Sequence, residues 1–244
     1  MKKIIQVKPH YRTILNHLSF RMLYGRIVKE QQYLSSFYYN LKAVGWDDFT
    51  FFPDGFAANA SLLYLLFKIL HKTKPKTILE LGSGQSTKLT TRYVKEHEKS
   101  EITIIEDCEE WFEKIKSDIF SSKRSRLICS PLEQTKIGRR KCLWYSTKVL
   151  TEEDTTYELI LVDGPFGTRR FSRVGIANFL PKIIDKNNFI LVFDDAARIG
   201  ELDTIRMIKK IFRKEGIHYL VFHVYGSKKQ TCFISPNLSF LGTN

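Results

Sequence analysis

Thr77-Ile-Leu-Glu-Leu-Gly-Ser-Gly-Gln-Ser-Thr87 is an apolar run that carries one acid and then two closely spaced glycines. Ile78 to Leu81 have the length and composition of a buried parallel strand, and a helical pattern begins at Ser86. Gly82 and Gly84 stand at the turn between them. Glycine tolerates positive φ there and has no Cβ, so a ligand can lie directly on the backbone. The free N–H groups that open the following helix would face that ligand. The stretch reads as a strand–glycine loop–helix nucleotide site, and its plain alternative is a tight turn.

Three cofactor classes use such a loop. A phosphate-cradling P-loop needs glycine immediately before its lysine, and Thr87 precedes Lys88 here. A dinucleotide fingerprint needs a third glycine, which Thr87 again replaces. What is left, E-x-G-x-G with the acid on the strand, resembles motif I of the class I S-adenosylmethionine-dependent methyltransferases. It suits a cationic ligand without phosphates, with Glu80 facing the amino group of the methionine moiety.

Moving outward, Ile102-Thr-Ile-Ile-Glu106-Asp107 is a second buried strand ending in acids. It lies about 20 residues past the glycines, the distance at which a carboxylate reaches a ribose diol in βαβ nucleotide sites. Glu106, first past the apolar run, is the ribose candidate. Asp107 is read as the N-cap of the helix containing Trp111.

The remaining elements alternate. A helix is expected over 86–97, a helix over 109–118, a strand over 126–129 and then an irregular segment. A strand at 158–162, a helix at 170–181, a strand at 189–193 and a helix at 202–215 follow. Such alternation implies a parallel sheet with helices on both faces. His218–Tyr225 and Gln230–Ser235, joined by Gly226-Ser-Lys-Lys, form a terminal hairpin, so the last strand runs antiparallel. The expected fold is a doubly wound, mostly parallel seven-stranded Rossmann-like α/β sheet ending in that hairpin. Before it, residues 1–57 form a helical extension or cap: one or two aromatic-rich helices over about 11–41, then a loop over 49–55. Residues 58–244 form the main domain, opened by a helix over 58–71.

Ligands of open α/β sheets bind outside the carboxyl ends of the strands. Those ends hold Glu80, Glu106, Ser130, Asp163 and the pair Asp194-Asp195. Three carboxylates aimed into one cleft repel unless a cation or proton intervenes, and oxygen-only ligands suit Mg²⁺. Asp163, Asp194 and Asp195 are thus metal candidates, with the alternative that Asp195 caps a turn and Asp194 binds loop amides. The arrangement is similar to the metal site of catechol-type and macrolide-sugar O-methyltransferases.

The wider resemblance covers about residues 45–236. It rests on Gly45-Trp46, Glu80–Thr87, Glu106 with Trp111, Val162-Asp-Gly-Pro-Phe-Gly167 and Phe193-Asp-Asp-Ala-Ala-Arg198. Together these resemble a group of bacterial methyltransferase-like proteins tied to surface-polysaccharide loci. The Val-Asp-Gly-Pro element also resembles plant glucuronoxylan O-methyltransferases. The resemblance implies S-adenosylmethionine held by Glu80, Gly82, Ser83, Gly84, Ser86 and Thr87, then by Glu106 and Asp107. Beyond those it implies Ser130, Pro131 and Leu132 after the third strand, and Asp163. Catalysis falls to Asp163 and Asp194, on a sugar or other small hydroxyl acceptor. Arg169 and Arg170 either clamp an acidic acceptor or lie exposed at a helix start.

Formal net charge is +13 over 244 residues, which favours anionic partners such as an acidic glycan or nucleic acid. Lys136, Arg139, Arg140 and Lys141 lie just before Trp144 and Tyr145, and could touch a substrate. Base methylators of the class carry Asp/Asn-Pro-Pro-aromatic after strand four, whereas this chain has Asp163-Gly-Pro-Phe166. A nucleic-acid substrate is therefore the runner-up, and a non-catalytic cofactor-binding scaffold the third reading. No apolar run reaches the roughly 18 residues of a membrane span, and no secretory h-region opens the chain. Cys108, Cys129, Cys142 and Cys232 lack C-x-x-C spacing and read as reduced thiols of a cytoplasmic protein. The aromatic N-terminal helices could also join two copies into a homodimer.

Overall fold

A computed structural model of the chain describes residues 9–46, 48, 50–52, 58–119, 122–138, 140–146 and 155–243, with the backbone alone at 9–22 and 118. Seven strands form one sheet: β1 (Thr77–Leu81), β2 (Glu101–Glu106), β3 (Ser125–Cys129), β6 (Leu159–Val162), β7 (Ile190–Phe193), β8 (Leu220–Tyr225) and β9 (Lys229–Ile234). Their order is β3-β2-β1-β6-β7-β9-β8. The first five are parallel, and β9 inserts antiparallel between β7 and β8. This is the doubly wound sheet with a terminal hairpin that the alternation predicts.

Strand pleating sorts the apolar side chains onto two faces. Ile78, Ile102, Ile104, Leu159, Leu161, Ile190 and Val192 pack with helices α1 (Pro9–Ala43), α2 (Ala60–Thr73) and α3 (Gln85–Glu96). Leu79, Leu81, Ile105, Ile160, Val162, Leu191 and Phe193 face the other layer, which includes α5 (Leu180–Ile183) and α6 (Ile199–Lys214). Each fully buried Leu or Ile contributes about 1.5–3 kcal/mol, so a one-residue slip of any central strand is prohibitive. Helix α4 (Glu109–Asp118) follows β2. Asn59 caps α2 by accepting the Leu62 N–H at 3.3 Å.

The N-terminal region is one 35-residue helix, within the expected one or two, and its Phe37 and Leu41 join the core with α2. Two expectations need correction. The segment expected to be irregular holds a hairpin, β4 (Leu132–Ile137) with β5 (Arg140–Tyr145). It turns at Gly138 (φ +59°), and buried Trp144 lies against Gly175, where a Cβ would strike the indole. The helix expected over 170–181 is broken. Phe171 and Arg173 take positive φ, a 3₁₀ turn spans Val174–Asn178, and α5 begins at Leu180. Pro181 sits in the first turn of α5, where its missing N–H is harmless; inside a longer helix its ring would clash. Most of the 49–55 loop, Arg139 and the first eight residues lie outside the described residues.

Candidate cofactor and acceptor site

The carboxyl ends of β1, β2, β6 and β7 open into a cavity of about 530 Å³, within the range of small-molecule sites. One half is walled by Gly82–Ser86, Glu106, Asp107, Cys108 and Trp111, the other by Asp163, Gly164, Phe166, Arg173, Asp195, Arg198 and Lys228. Gly82 has φ +84°, and a Cβ on it would lie 2.7 Å from the Gly164 nitrogen. Two strand-end loops thus meet backbone to backbone, which glycine alone permits.

Glu80 alternates with Leu79 and Leu81 along the pleat and so faces α3. It is fully buried, and its carboxylate accepts hydrogen bonds from Ser86 Oγ (2.6 Å), Thr87 Oγ1 (3.0 Å) and Thr90 Oγ1 (2.8 Å). Thr87 Oγ1 in turn accepts the Gly84 N–H at 2.8 Å. The threonine that replaces a third glycine therefore closes the loop onto Glu80. Burial pushes the Glu80 pKa up to about 7, against the opposing pull of the three hydroxyls. Glu80 and Thr87 stand behind the loop, outside the cavity wall, instead of facing a ligand amino group.

Glu106 does line the cavity. Its Oε2 accepts Ser83 N (2.8 Å) and Ser83 Oγ (2.7 Å), and its Oε1 accepts the N–H groups of Asp107 and Cys108 at 3.1 Å. Trp111 Nε1 donates to the Ser83 carbonyl at 2.9 Å, holding the loop from the other side. The N-cap of α4 is Cys108, so Asp107 is not the cap expected of it; it lines the cavity, and burial raises its pKa. Ser130, Pro131 and Leu132 lie off the cavity wall. Ser130 Oγ instead accepts the Ser146 N–H at 3.0 Å, closing the base of the β4–β5 hairpin.

The acidic trio does converge: one carboxylate oxygen from each of Asp163, Asp194 and Asp195 lies within 4.8 Å of the others. Asp163 is 22 % exposed and reaches the cavity, whereas Asp194 is fully buried beneath it. Burial and the neighbouring Asp194 push the Asp163 pKa up to about 7, while Arg173 and Lys228 oppose the rise. Burial, then Asp194, also raises Asp195.

The trio already has cations. Arg173 Nη2 is 3.4 Å from Asp163 and 3.8 Å from Asp195, Arg198 is 3.0 Å from Asp195, and Lys228 is 3.5 Å from Asp194. Asp194 also accepts Gln230 Nε2 at 2.8 Å. The oxygen donors suit a hard divalent ion, but a guanidinium in contact with two of the three carboxylates does not. As they stand, these residues do not fit a resident metal.

Arg169 and Arg170 are off the cavity wall. Arg170 Nε is 2.6 Å from Asp203 of α6. The left-handed turns at Phe171 and Arg173 send Arg173 inward instead. Sequence reading missed Arg173, Arg198 and Lys228 as site residues. They come from a strained turn, a helix N-cap and a hairpin turn, and share no local pattern. Phe166, 78 % exposed, lines the cavity directly after Asp163-Gly-Pro.

No family model matches the chain, and no curated protein matches it in sequence. Solved structures do. An O-methyltransferase from Bacillus cereus in complex with S-adenosylhomocysteine is 11 % identical, with a TM-score of 0.53 over 87 % of this chain and 99 % of that one. A Podospora anserina methyltransferase bound to S-adenosylhomocysteine is 14 % identical, with a TM-score of 0.48 over 96 % and 98 %. At such identity the first of these likenesses establishes the fold: the chain has the seven-stranded fold of the B. cereus O-methyltransferase.

Proposed function

We propose that the protein is an S-adenosylmethionine-dependent methyltransferase that O-methylates a small hydroxyl acceptor, with a sugar hydroxyl the favoured class. One observation carries the reading: a single cavity joins the Gly82–Ser86 loop and Glu106 to Asp163. Bound S-adenosylmethionine supplies a methyl group on a sulfonium. The glycine loop and Glu106 orient it, and Asp107 is placed to accept from it as well. Asp163 acts as base, taking the hydroxyl proton as the acceptor oxygen attacks; in such a displacement, positioning supplies much of the rate. With Asp163 poised near pH 7, turnover should rise as pH passes through about 7. Asp163→Asn should abolish turnover while leaving cofactor affinity nearly intact, and a fully active variant would remove the base.

Arg198 and Lys228 take the place of Arg169 and Arg170 as the groups that favour an anionic acceptor, and the exposed Phe166 ring offers a sugar an apolar face. The resemblance to proteins of surface-polysaccharide loci points the same way. The 4.8 Å grouping of the acidic trio would by itself suit a divalent ion, but Arg173 already stands against Asp163 and Asp195. A nucleic-acid acceptor has the +13 charge in its favour, and steeply salt-dependent RNA binding would establish it. Residues 1–57 are proposed as a helical extension or cap. Exposed Leu23, Tyr24 and Ile27 of α1 suit contact with a second copy, to be read by light scattering. No helix among the described residues is long and apolar enough to cross a membrane, and we place the enzyme in the cytoplasm.

Calorimetry with S-adenosylhomocysteine and NAD tests the cofactor. The former should bind, and at about 100 times Kd should stabilise the fold by roughly 2.7 kcal/mol. Binding of NAD alone would sink the reading. A panel of acidic and neutral sugars then tests the acceptor.

A further inference from the structure

Arg173 forms the floor of the acceptor half of the cavity, with its side chain 4 % exposed. Its Nε donates to the Pro165 carbonyl at 3.1 Å, and its Nη1 to the carbonyls of Val162 and Asp194 at 3.4 Å. Nη2 faces Asp163 at 3.4 Å and Asp195 at 3.8 Å. One planar guanidinium, a rigid fork of donors, thus ties the ends of β6 and β7 together. It brings positive charge to two of the three carboxylates, Asp163 and Asp195, while Lys228 stands 3.5 Å from the third, Asp194.

The backbone is bent to put it there. Phe171, Arg173 and Asp195 have φ of +51°, +55° and +54°. Left-handed backbone at non-glycine residues is strained and persists where its surroundings over-determine it, commonly at functional sites. A surface arginine needs no such placement.

Charge bookkeeping agrees with the geometry. Asp163, Asp194, Asp195 and the fully buried Glu201 bring four carboxylates, and Arg173, Arg198 and Lys228 bring three cations at 3.0–3.9 Å from them. Both Glu201 oxygens lack a hydrogen-bond partner, and the Arg173 Nε at 3.9 Å is a cation beside them. A divalent ion would turn the cluster's formal charge positive and set itself against Arg173.

We infer that Arg173, against Asp163 and Asp195, is a built-in cation that replaces a divalent metal at the acidic trio, so that the acceptor side of this site works without a bound metal ion. The inference rests on the methyltransferase reading only for the name of that side. Arg173 is a positioning residue, holding the carboxylates that face the acceptor.

The test is a Mn²⁺ titration of the chelator-stripped full chain, followed by electron paramagnetic resonance and thermal melting, with S-adenosylhomocysteine affinity measured in parallel. The parent should show no Mn²⁺ binding below millimolar concentrations and no metal-dependent shift in melting. Arg173→Met empties the cation's place and should bind Mn²⁺ at least about tenfold more tightly, with a melting point that rises on adding the ion. Arg173→Lys keeps the charge and should behave as the parent does. A parent that binds Mn²⁺ at micromolar levels, with the binding lost in Asp163→Asn, overturns the inference. So does a folded Arg173→Met protein with the parent's Mn²⁺ affinity. If Arg173→Met does not fold, the parent titration decides alone. Failure to bind S-adenosylhomocysteine would strike the methyltransferase reading and leave the metal result standing.

Discussion

Glu106 and Glu80 both sit at or near strand ends, and their partners give them different work. Glu106 faces the cavity, and two of the hydrogen bonds it accepts come from Ser83, which a ligand can replace. Glu106→Ala should weaken S-adenosylhomocysteine binding by about 1.5–3 kcal/mol, as expected for hydrogen bonds to a charged group. Calorimetry checks this, and unchanged affinity would put the ribose elsewhere. Glu80 is sealed under α3, and its pKa is raised from 4.5 to about 7. For an acid so shifted, the folded state holds the proton more tightly. Its contribution to stability is full below about pH 4.5 and is lost as pH rises through about 7, a change of about 3 kcal/mol. Glu80→Gln should flatten that part of the stability–pH curve in urea unfolding. Asp163 titrates in the same window, so the parent-minus-variant difference is the quantity to follow. A difference that does not vary with pH would mean Glu80 is ionised throughout.

At the scale of elements, one loop crossing shapes the cavity wall and a second packs outside it. The turn after β1 meets the turn after β6 at Gly82 and Gly164, where a Cβ on Gly82 would lie 2.7 Å from the Gly164 nitrogen. Gly82→Ala must abandon φ +84° and push the β6 loop away, costing about 1–3 kcal/mol. That is a fall in melting temperature of about 2–4 °C per kcal/mol, accompanied by weaker S-adenosylhomocysteine binding. A variant with parental melting and affinity would show that the two loops separate freely. The second crossing is the β4–β5 hairpin, which buries Trp144 against Gly175. It also brings Arg140 onto the Phe171 ring, 3.7 Å from its centroid. The basic segment is therefore engaged in part by the turn that delivers Arg173.

Across the whole molecule, one polar chain runs from the N-terminal helix to the acidic trio. Glu30 of α1 accepts the N–H groups of Ser61 (2.9 Å) and Ser227 (2.6 Å) and the Asn59 amide (3.1 Å). Asn59 Oδ1 accepts Gln230 Nε2 at 3.1 Å, and Gln230 Nε2 also donates to Asp194 at 2.8 Å. The helix thus steadies the β8–β9 turn that carries Lys228. Gly226 in that turn has no room for a Cβ beside Glu30 and Ser61. Glu30→Ala leaves these donors short of an acceptor and should lower stability by about 1–3 kcal/mol. Hydrogen exchange at Ser61 and Ser227 should quicken with it, and unchanged exchange would mean that α1 is not what holds the turn.

The local order of the chain was enough to determine the sheet and the glycine turn with Glu106 that walls one half of the cleft. Buried parallel strands are short, mainly apolar runs, as at 77–81, 159–162 and 190–193, and such runs are legible one residue at a time. Gly82, Gly84 and Glu106 follow from where those runs stop. Only the tertiary structure decided the acceptor half. Arg170 and Arg173 are three residues apart and chemically identical, yet a left-handed bend sends one to Asp203 and the other beneath the trio. The β4–β5 hairpin is polar and basic along most of its length, and its few apolar side chains find their cover in a 3₁₀ turn about thirty residues later in sequence. Glu80 stands one residue from the end of a strand beside glycines, where a ligand contact is expected, but the pleat points it at α3. Charges contributed by separate turns have no period to read, and what neutralises the carboxylates is settled by which backbones meet in space.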